Sequence, residues 1–537
     1  MAGASAIAAA GLFSQRLHGA INTASSVASG TVFEDRSGTG VRQLGDRGVA
    51  GVMVSNGRDV VLTDSEGGFA LAVEPGESVF VIKPPHWSVS PQADNCSPSS
   101  YLHRSDVILS PSIDFPLRRT PEPAAFEALL FADVQPSNAA ELGYFADLLR
   151  RGVHGTAAAF AINHGDVMGD DLSLFPAYRR VIGETSIPWH HCPGNHDMNL
   201  DSLGPHHAFE TWKREIGPTH SAFRYAGATF ILLNNVEYAG HGRSFQGGRG
   251  YRGLIGERQL AFVENVLRHV PADDLIVLSM HIPLVSFEAP DSISDTTADR
   301  DALMRLLAGR PHTVSFAGHS HTTEHHFLGA EHGFGGERPH HHHVLTAACG
   351  SWWSGAEDQN GIPVSDSRDG SPKGYHVLSV NGAEYTTRFV PFDPLASPQM
   401  RVMVSEASHL TRQDDGTPKI LDKVVSSPVG AAHLSSLALV VDVFDGGPTT
   451  RVFYEIEGSG LAPVEMVRAR TADPFIVESF QRDHQLLKSW VKPAVSSHIW
   501  ASPLDRALAT GSYRIVVRAT LGGGATHTDA LMLDVVA

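Results

Sequence analysis

The chain has 537 residues, 42% hydrophobic and 18% charged, the balance of an ordinary folded protein and far from that of a disordered one. At ~150 residues per domain this length predicts three or four hydrophobic cores rather than one. The formal net charge of -17 excludes a general nucleic-acid surface, which needs a concentrated Lys/Arg footprint, and no stretch approaches the ~20 apolar residues of a membrane-spanning helix.

Residues 1–29 begin with a small apolar stretch, Met1 to Phe13, followed by Arg16 and a Ser/Ala-rich segment. That order resembles the middle of an export signal without its basic start. Read as part of a longer signal, of the twin-arginine kind, it places the protein in the periplasm or outside the cell. Read as a disordered or weakly helical tail, it leaves the protein in the cytoplasm.

From 30 to 119 the pattern is short β runs. Val52, Val54, Val60, Leu62, Phe69, Leu71 and Val73 alternate with polar residues, and Ser55-Asn56-Gly57 and Ser65-Glu66-Gly67-Gly68 supply turns, so a small β-sandwich is predicted. The stretches Gly51 to Gly57 and Thr63 to Phe69 resemble the transthyretin-like or carboxypeptidase-regulatory-like modules joined to many exported enzymes.

A Pro/Glu-rich linker, Thr120 to Pro123, opens a segment in which strands alternate with helices, an α/β layered domain over 120–395. Helical spacing marks Ala139 to Arg151, Glu257 to His269 and Thr297 to Leu307, the last stopped by Gly309. From 396 to 537 the alternation is again that of strands, in Val440 to Phe444, Val452 to Ile456, Tyr513 to Ala519 and Leu531 to Val535, which predicts a second β-sandwich. The Gly522 to Gly524 run is a turn between the last two strands.

Within the α/β segment one arrangement recurs five times: an apolar run of strand length ends at a residue able to bind a metal. Phe126 to Ala132 leads to Asp133, Ala157 to Ile162 to Asp166, Ile187 to Cys192 to Asn195, Leu275 to Met280 to His281, and Thr313 to Ala317 to His319. Donors beyond the strand ends of such a sheet converge on one edge. The 30 histidines against three scattered cysteines, Cys96, Cys192 and Cys349, point to nitrogen and oxygen ligands and leave the thiols as buried apolar groups.

The local sequences are Asp133-Val-Gln135, Gly165-Asp166, Gly194-Asn195-His196-Asp197, Met280-His281 and Gly318-His319-Ser-His321. In this order they resemble the five blocks of the calcineurin-like metallophosphoesterases. The resemblance implies a two-sheet layered α/β-β/α domain flanked by two small all-β sandwiches, and a hydrolase of phosphomonoesters or phosphodiesters. It implies two divalent cations, manganese, iron or zinc, with a metal-bridging hydroxide as nucleophile. Asp166 would bridge the pair; Asp133, Gln135 and His321 would hold the first metal, and Asn195, His281 and His319 the second. His196 would face the substrate and assist the leaving oxygen, with Asp197 orienting its ring.

One departure is Gln135, where the family pattern most often has histidine. Its amide oxygen can coordinate, as in an Asp-x-Gln branch, or it can merely hydrogen-bond and leave the first metal loosely held. Candidate substrate contacts are Asn195, His196 and Trp353, Trp352 and Trp353 being read as strand neighbours on opposite faces or as a seal between domains. Asp170 and Asp171 read as a solvated turn, His190 and His191 as packed side chains, His340 to His343 as a strand entrance or a metal tract, and Arg243, Arg249 and Arg252 as an exposed loop or a phosphate contact. The expected partner is a small phosphate ester or a lipid or sugar phosphate. The alternatives are a nucleotide or pyrophosphate hydrolase, and a surface or periplasmic binding protein with a metal-stabilised phosphoesterase scaffold.

Overall fold

The computed structural model describes residues 26–74, 76–89, 101–103, 112–246, 249–392, 398–412, 418–504 and 508–537. The N-terminal stretch that carries the export reading, and Cys96, lie outside the described residues. No helix among the described residues is long and apolar enough to cross a membrane.

Strands covered on both faces lose the alternation of a half-buried strand, and Phe160–His164 and Leu275–Ser279 are buried at every position. They belong to two sheets. In the first, Trp189–Cys192, Phe160–His164 and Ala125–Phe131 run parallel, and Gly374–Asn381 and Glu384–Pro391 extend it antiparallel. In the second, Ala228–Leu232, Leu275–Ser279, Thr313–Ala317 and His340–Val344 run parallel between the antiparallel edge strands Ser221–Tyr225 and Glu324–Leu328. The sheets face each other across Phe126, Phe160, Phe230, Val277, Phe316 and Leu378. Helices Ala139–Gly152 and Phe175–Gly183 cover the outer face of the first sheet, and Glu257–Leu267 and Arg300–Leu307 that of the second, so the layers are α/β-β/α.

The third helix starts later than its sequence pattern predicts, at Arg300 instead of Thr297. The Thr297 hydroxyl donates to the Pro283 carbonyl at 3.0 Å, and the Asp299 carboxylate accepts from the Ile255 and Gly256 amides at 2.9 and 2.8 Å. These side chains serve neighbouring loops rather than a longer helix.

On the N-terminal side two four-stranded sheets close over Val32, Val54, Leu71, Val81 and Phe115. On the C-terminal side two five-stranded sheets close over Leu439, Val441, Tyr454, Trp500 and Val517. Both are fastened to the layered core. Lys83 donates to Glu122 at 2.6 Å and to the Arg224 carbonyl at 2.7 Å, and Arg401 donates to Asp366 at 3.2 Å and to the Gly370 carbonyl at 2.8 Å.

Candidate metal centre

Asp133, Asp166 and Asn195 follow the C-terminal ends of the three parallel strands of the first sheet, and His281 and His319 follow adjacent parallel strands of the second. All five donors therefore reach the same edge of the layered core. The chain leaves the strands abruptly: Asp133, Gln135, Asp166, His319 and His321 all have φ between 43° and 76°. Left-handed backbone costs a non-glycine residue roughly 1–3 kcal/mol, and such strain concentrates at functional sites. Close approach is as tight as it can be: a Cβ on Gly194 would lie 2.2 Å from Asp166 Oδ1, and one on Gly318 2.5 Å from Asp133 Oδ2.

The hydrogen bonds fix where the lone pairs point. His281 Nδ1 donates to the His164 carbonyl at 2.9 Å, so in the neutral ring Nε2 presents its lone pair inward. Around that Nε2 lie Asn195 Oδ1 at 3.1 Å, Asp166 Oδ1 at 3.2 Å and His319 Nδ1 at 3.2 Å. His321 Nδ1 likewise donates to the Gly350 carbonyl at 2.8 Å, which leaves its Nε2 3.6 Å from Asp133 Oδ1. Gln135 Oε1 is buried without a hydrogen-bond partner, and His319 Nε2 faces the Asp295 carboxylate at 3.4 Å, which leaves Nδ1 as the lone pair of that ring. Lone pairs crowded together in a buried pocket repel one another unless a cation lies among them. The donors of Asp166, His281 and His319 all lie within 4.8 Å of one another, close enough for an ion to share. The residues thus fit divalent cations.

The titration of the cluster carries the same message. Burial pushes the Asp133 carboxyl up to about 7 against the pull of His281, and the neighbouring Asp166 charge adds to the push. Asp166 itself, though burial opposes its charge, is held below the usual carboxylate range by His281 and His196. Burial opposes a charge on His281 too, but Asp166 outweighs it and holds the imidazole up to about 9. Buried carboxylates this close together need compensating positive charge.

His196 sits at the mouth of this cluster. Its amide donates to Asp166 Oδ1 at 2.9 Å, and its ring, 34% exposed, donates from Nδ1 to Asp170 Oδ1 at 2.8 Å. The expectation for Asp197 is corrected: its carboxylate takes the amides of Val167, Met168 and Gly194 at 3.1, 2.8 and 2.8 Å and ties two loops together, without touching the His196 ring. The partner of that ring is Asp170, which the sequence reading left as a solvated turn.

The expectation for Trp353 is also corrected. It is 3% exposed and its indole donates to the Val134 carbonyl at 2.7 Å, so it packs inside rather than facing a substrate. The tryptophan pair lies in a turn, with φ of 54° and 53°, so the alternation of a strand does not apply to it. Trp352 stacks on His321 with centroids 4.0 Å apart and meets Trp490 edge-on at 6.5 Å. Trp490, from the C-terminal segment, is 57% exposed. Sequence reasoning missed Trp490, and also Asp295, whose Oδ1 lies 3.4 Å from His319 Nε2, and Tyr251, whose ring meets His319 edge-on at 5.9 Å.

The remaining candidates are engaged with neighbouring side chains. His190 stacks on Phe223 at 3.7 Å and His191 meets the Tyr178 hydroxyl at 3.0 Å, both as packed side chains. Arg249 donates to the Tyr251 hydroxyl and Arg252 to Glu237, so two guanidiniums of the loop are engaged within it.

A cation-binding pocket at the shared edge of an α/β-β/α pair of sheets defines the metallophosphoesterase class. Residues 127–323 match the family described as calcineurin-like phosphoesterase, residues 36–120 its N-terminal companion, and residues 342–527 its C-terminal companion. The chain belongs to the calcineurin-like phosphoesterase family and is a metal-dependent phosphoester hydrolase. No curated protein matches it. Among solved structures it is similar to a purple acid phosphatase from yellow lupin seeds, at 11% identity and a TM-score of 0.35 over 68% of this chain and 67% of that one. It is also similar to the extracellular domain of a hybrid two-component system from B. thetaiotaomicron, at 12% identity and a TM-score of 0.14 over 36% of this chain and 20% of that one. At these scores neither likeness bears on fold or activity.

Proposed function

We propose that the chain hydrolyses small phosphomonoesters or phosphodiesters at a centre of two divalent cations, manganese, iron or zinc. Asp166 would lie between them, with Asp133, Gln135 and His321 on one side and Asn195, His281 and His319 on the other. The observation that supports this most directly is the ring of Asn195, Asp166 and His319 acceptor atoms, each within 3.2 Å of His281 Nε2. When bound, the cations would supply Lewis acidity, drawing charge from the phosphoryl oxygens and lowering the pKa of a water between them so that it can attack.

The chain's own groups do the rest. His164 and Gly350 carbonyls hold His281 and His321 in the tautomer that offers Nε2. Asp170 holds the His196 ring with Nε2 4.0 Å from Asp166 Oδ2, beside the donor cluster, where the protonated ring can give its proton to the departing oxygen. Asn195, tethered beside His281, can also meet a phosphoryl oxygen. The division at 30–119, 120–395 and 396–537 belongs to the same proposal, as does export, which rests on the apolar stretch Met1 to Phe13.

Hydrolysis of p-nitrophenyl and bis-p-nitrophenyl phosphate with added Mn²⁺ tests this reading. Turnover should require the metal and fall by on the order of 10²–10³ in Asp166→Asn, the loss typical when one transition-state-stabilising group is removed. Absence of metal-dependent turnover on any phosphate mono-, di- or pyrophosphate ester would overturn it in favour of a binding protein.

A further inference from the structure

The run His340 to His343 takes no part in the centre described above. In the strand His340–Val344 successive side chains alternate between faces. On one face His340 and His342 share the Ser315 hydroxyl, each at 2.7 Å, and His342 Nε2 accepts the Leu284 amide at 3.0 Å. Ordinary hydrogen bonds account for that pair.

The other face is different. His343 has zero exposure, yet neither of its ring nitrogens makes a hydrogen bond. Beside it lies His376, from Gly374–Asn381 of the other sheet, also with zero exposure and with Nδ1 unpartnered. The third member is Asp445, in the turn that follows Leu437–Val443 of the C-terminal sandwich. Asp445 Oδ1 lies 3.4 Å from His343 Nε2, 3.2 Å from His376 Nε2 and 3.1 Å from His325 Nε2.

His325 and His376 hydrogen-bond to that oxygen and occupy its lone pairs, which leaves His343 Nε2 facing it with no hydrogen bond of its own. A tetrahedral cation bound at ~2.0–2.1 Å sets its ligand atoms about 3.3 Å apart, which is the spacing of Asp445 Oδ1 from His343 Nε2 and from His376 Nε2. The donors of His343, His376 and Asp445 lie within 4.8 Å of one another. The rings of His343 and His376 meet at 4.7 Å and 83°, much like His281 and His319 at 4.9 Å and 75°.

We propose that His343, His376 and Asp445 form a further divalent-cation site, separate from the catalytic pair, which clips both core sheets to the C-terminal sandwich. Two imidazoles and a carboxylate without a thiolate suit zinc, with water in the fourth position. His325 is the positioning residue. It holds the Asp445 carboxylate from the outer side, and its own ring is fixed by a chain from Nδ1 to His341 at 2.9 Å and from His341 to the Tyr385 hydroxyl at 2.9 Å. The turn carrying Asp445 is seated against it, since a Cβ on Gly447 would come within 2.9 Å of His325 Cβ.

The test counts metal in the full chain, loaded with zinc and dialysed against metal-free buffer. Asp445→Asn and His376→Gln should each hold one zinc fewer than the wild type, keep p-nitrophenyl phosphate turnover unchanged, and lose less melting temperature than the wild type when a chelator is added. Zinc content equal to that of the wild type in both variants would overturn the site. Should either variant fail to fold, cobalt(II) reads the same question in Asp166→Asn, where the catalytic centre is impaired. Strong visible absorption of tetrahedral cobalt there supports the site, and its absence overturns it. Neither result depends on whether the catalytic centre turns over phosphate esters.

Discussion

His196 shows how much the identity of one neighbour matters. Its ring is bound by Asp170 and not by Asp197, although Asp197 is next to it in the chain. The two carboxylates therefore fail differently when removed. Asp170→Asn should lower kcat about tenfold to a hundredfold, the usual cost of losing the partner that orients a working imidazole, while the urea midpoint stays put. Asp197→Ala would strand three buried amides and should cost roughly 2–4 kcal/mol of stability, visible as a lowered urea midpoint. If Asp170→Asn left kcat unchanged, the ring would not act in the form proposed. The tryptophans divide in the same way. Trp353→Ala should lower the melting temperature with little change in KM, since burying an aromatic of this size is worth about 3–5 kcal/mol. Trp490→Ala should raise KM for aryl esters without touching the melting temperature. Gln135 is a direct question to the metal: its orphaned Oε1 predicts that Gln135→Ala loses cation at the first site, and unchanged metal content would remove it from the ligands.

At the scale of elements, the fold was legible wherever burial imposes a period. Continuous apolar runs such as Leu275 to Met280 mark strands covered on both faces, and the spacing of Leu142, Phe145, Leu148 and Leu149 marks a helix with one buried stripe. The donors at the strand ends were legible too, because each follows its run within a few residues. What was not legible depends on pairs distant in sequence. Nothing in the chain says that residues near 490 lie beside Trp352, or that Asp295 meets His319. Nor does local pattern reveal that Trp352 and Trp353 sit in a left-handed turn, because Val134 and Ser365 accept bonds from it in addition to its local ones. The glycines of the motifs have their reason at this scale as well. Gly194→Ala should perturb Asp166 more than the strand before it, so metal content and turnover should drop well before the fold does.

Across the whole molecule, the C-terminal sandwich meets the layered core through a buried charge network rather than an apolar seam alone. His498 of the sandwich contacts Asp369 of the core at 2.9 Å and Asp442 of its own sheet, all three with zero exposure, and Arg401 with Asp473 and Asp366 lies alongside. Asp369 also accepts the Thr323 amide, two residues beyond His321, so the network braces the loop that carries a proposed ligand. Burial alone would lower the imidazole pKa of His498, but Asp442 and Asp369 outweigh it and hold it up to about 10. Burial shifts the Asp442 carboxyl upward as well, against the pull of His498. Both shifts have the same sign: the folded chain binds these protons more tightly than the unfolded one. For His498 the stabilisation is therefore complete below the ordinary histidine pKa of 6.5 and drains away as pH climbs toward 10, whereas that of Asp442 is complete only below the ordinary carboxylate range. His498→Gln keeps a hydrogen-bonding side chain but cannot carry the charge, and it should cost ~3–5 kcal/mol of unfolding free energy near pH 6, as for a broken buried ion pair. Followed by urea unfolding, the gap between variant and wild type should narrow steadily toward alkaline pH. A gap that stayed constant across that range would mean that the ring is neutral in the folded chain, and that the sandwich is held to the core by shape and hydrogen bonds without the charge.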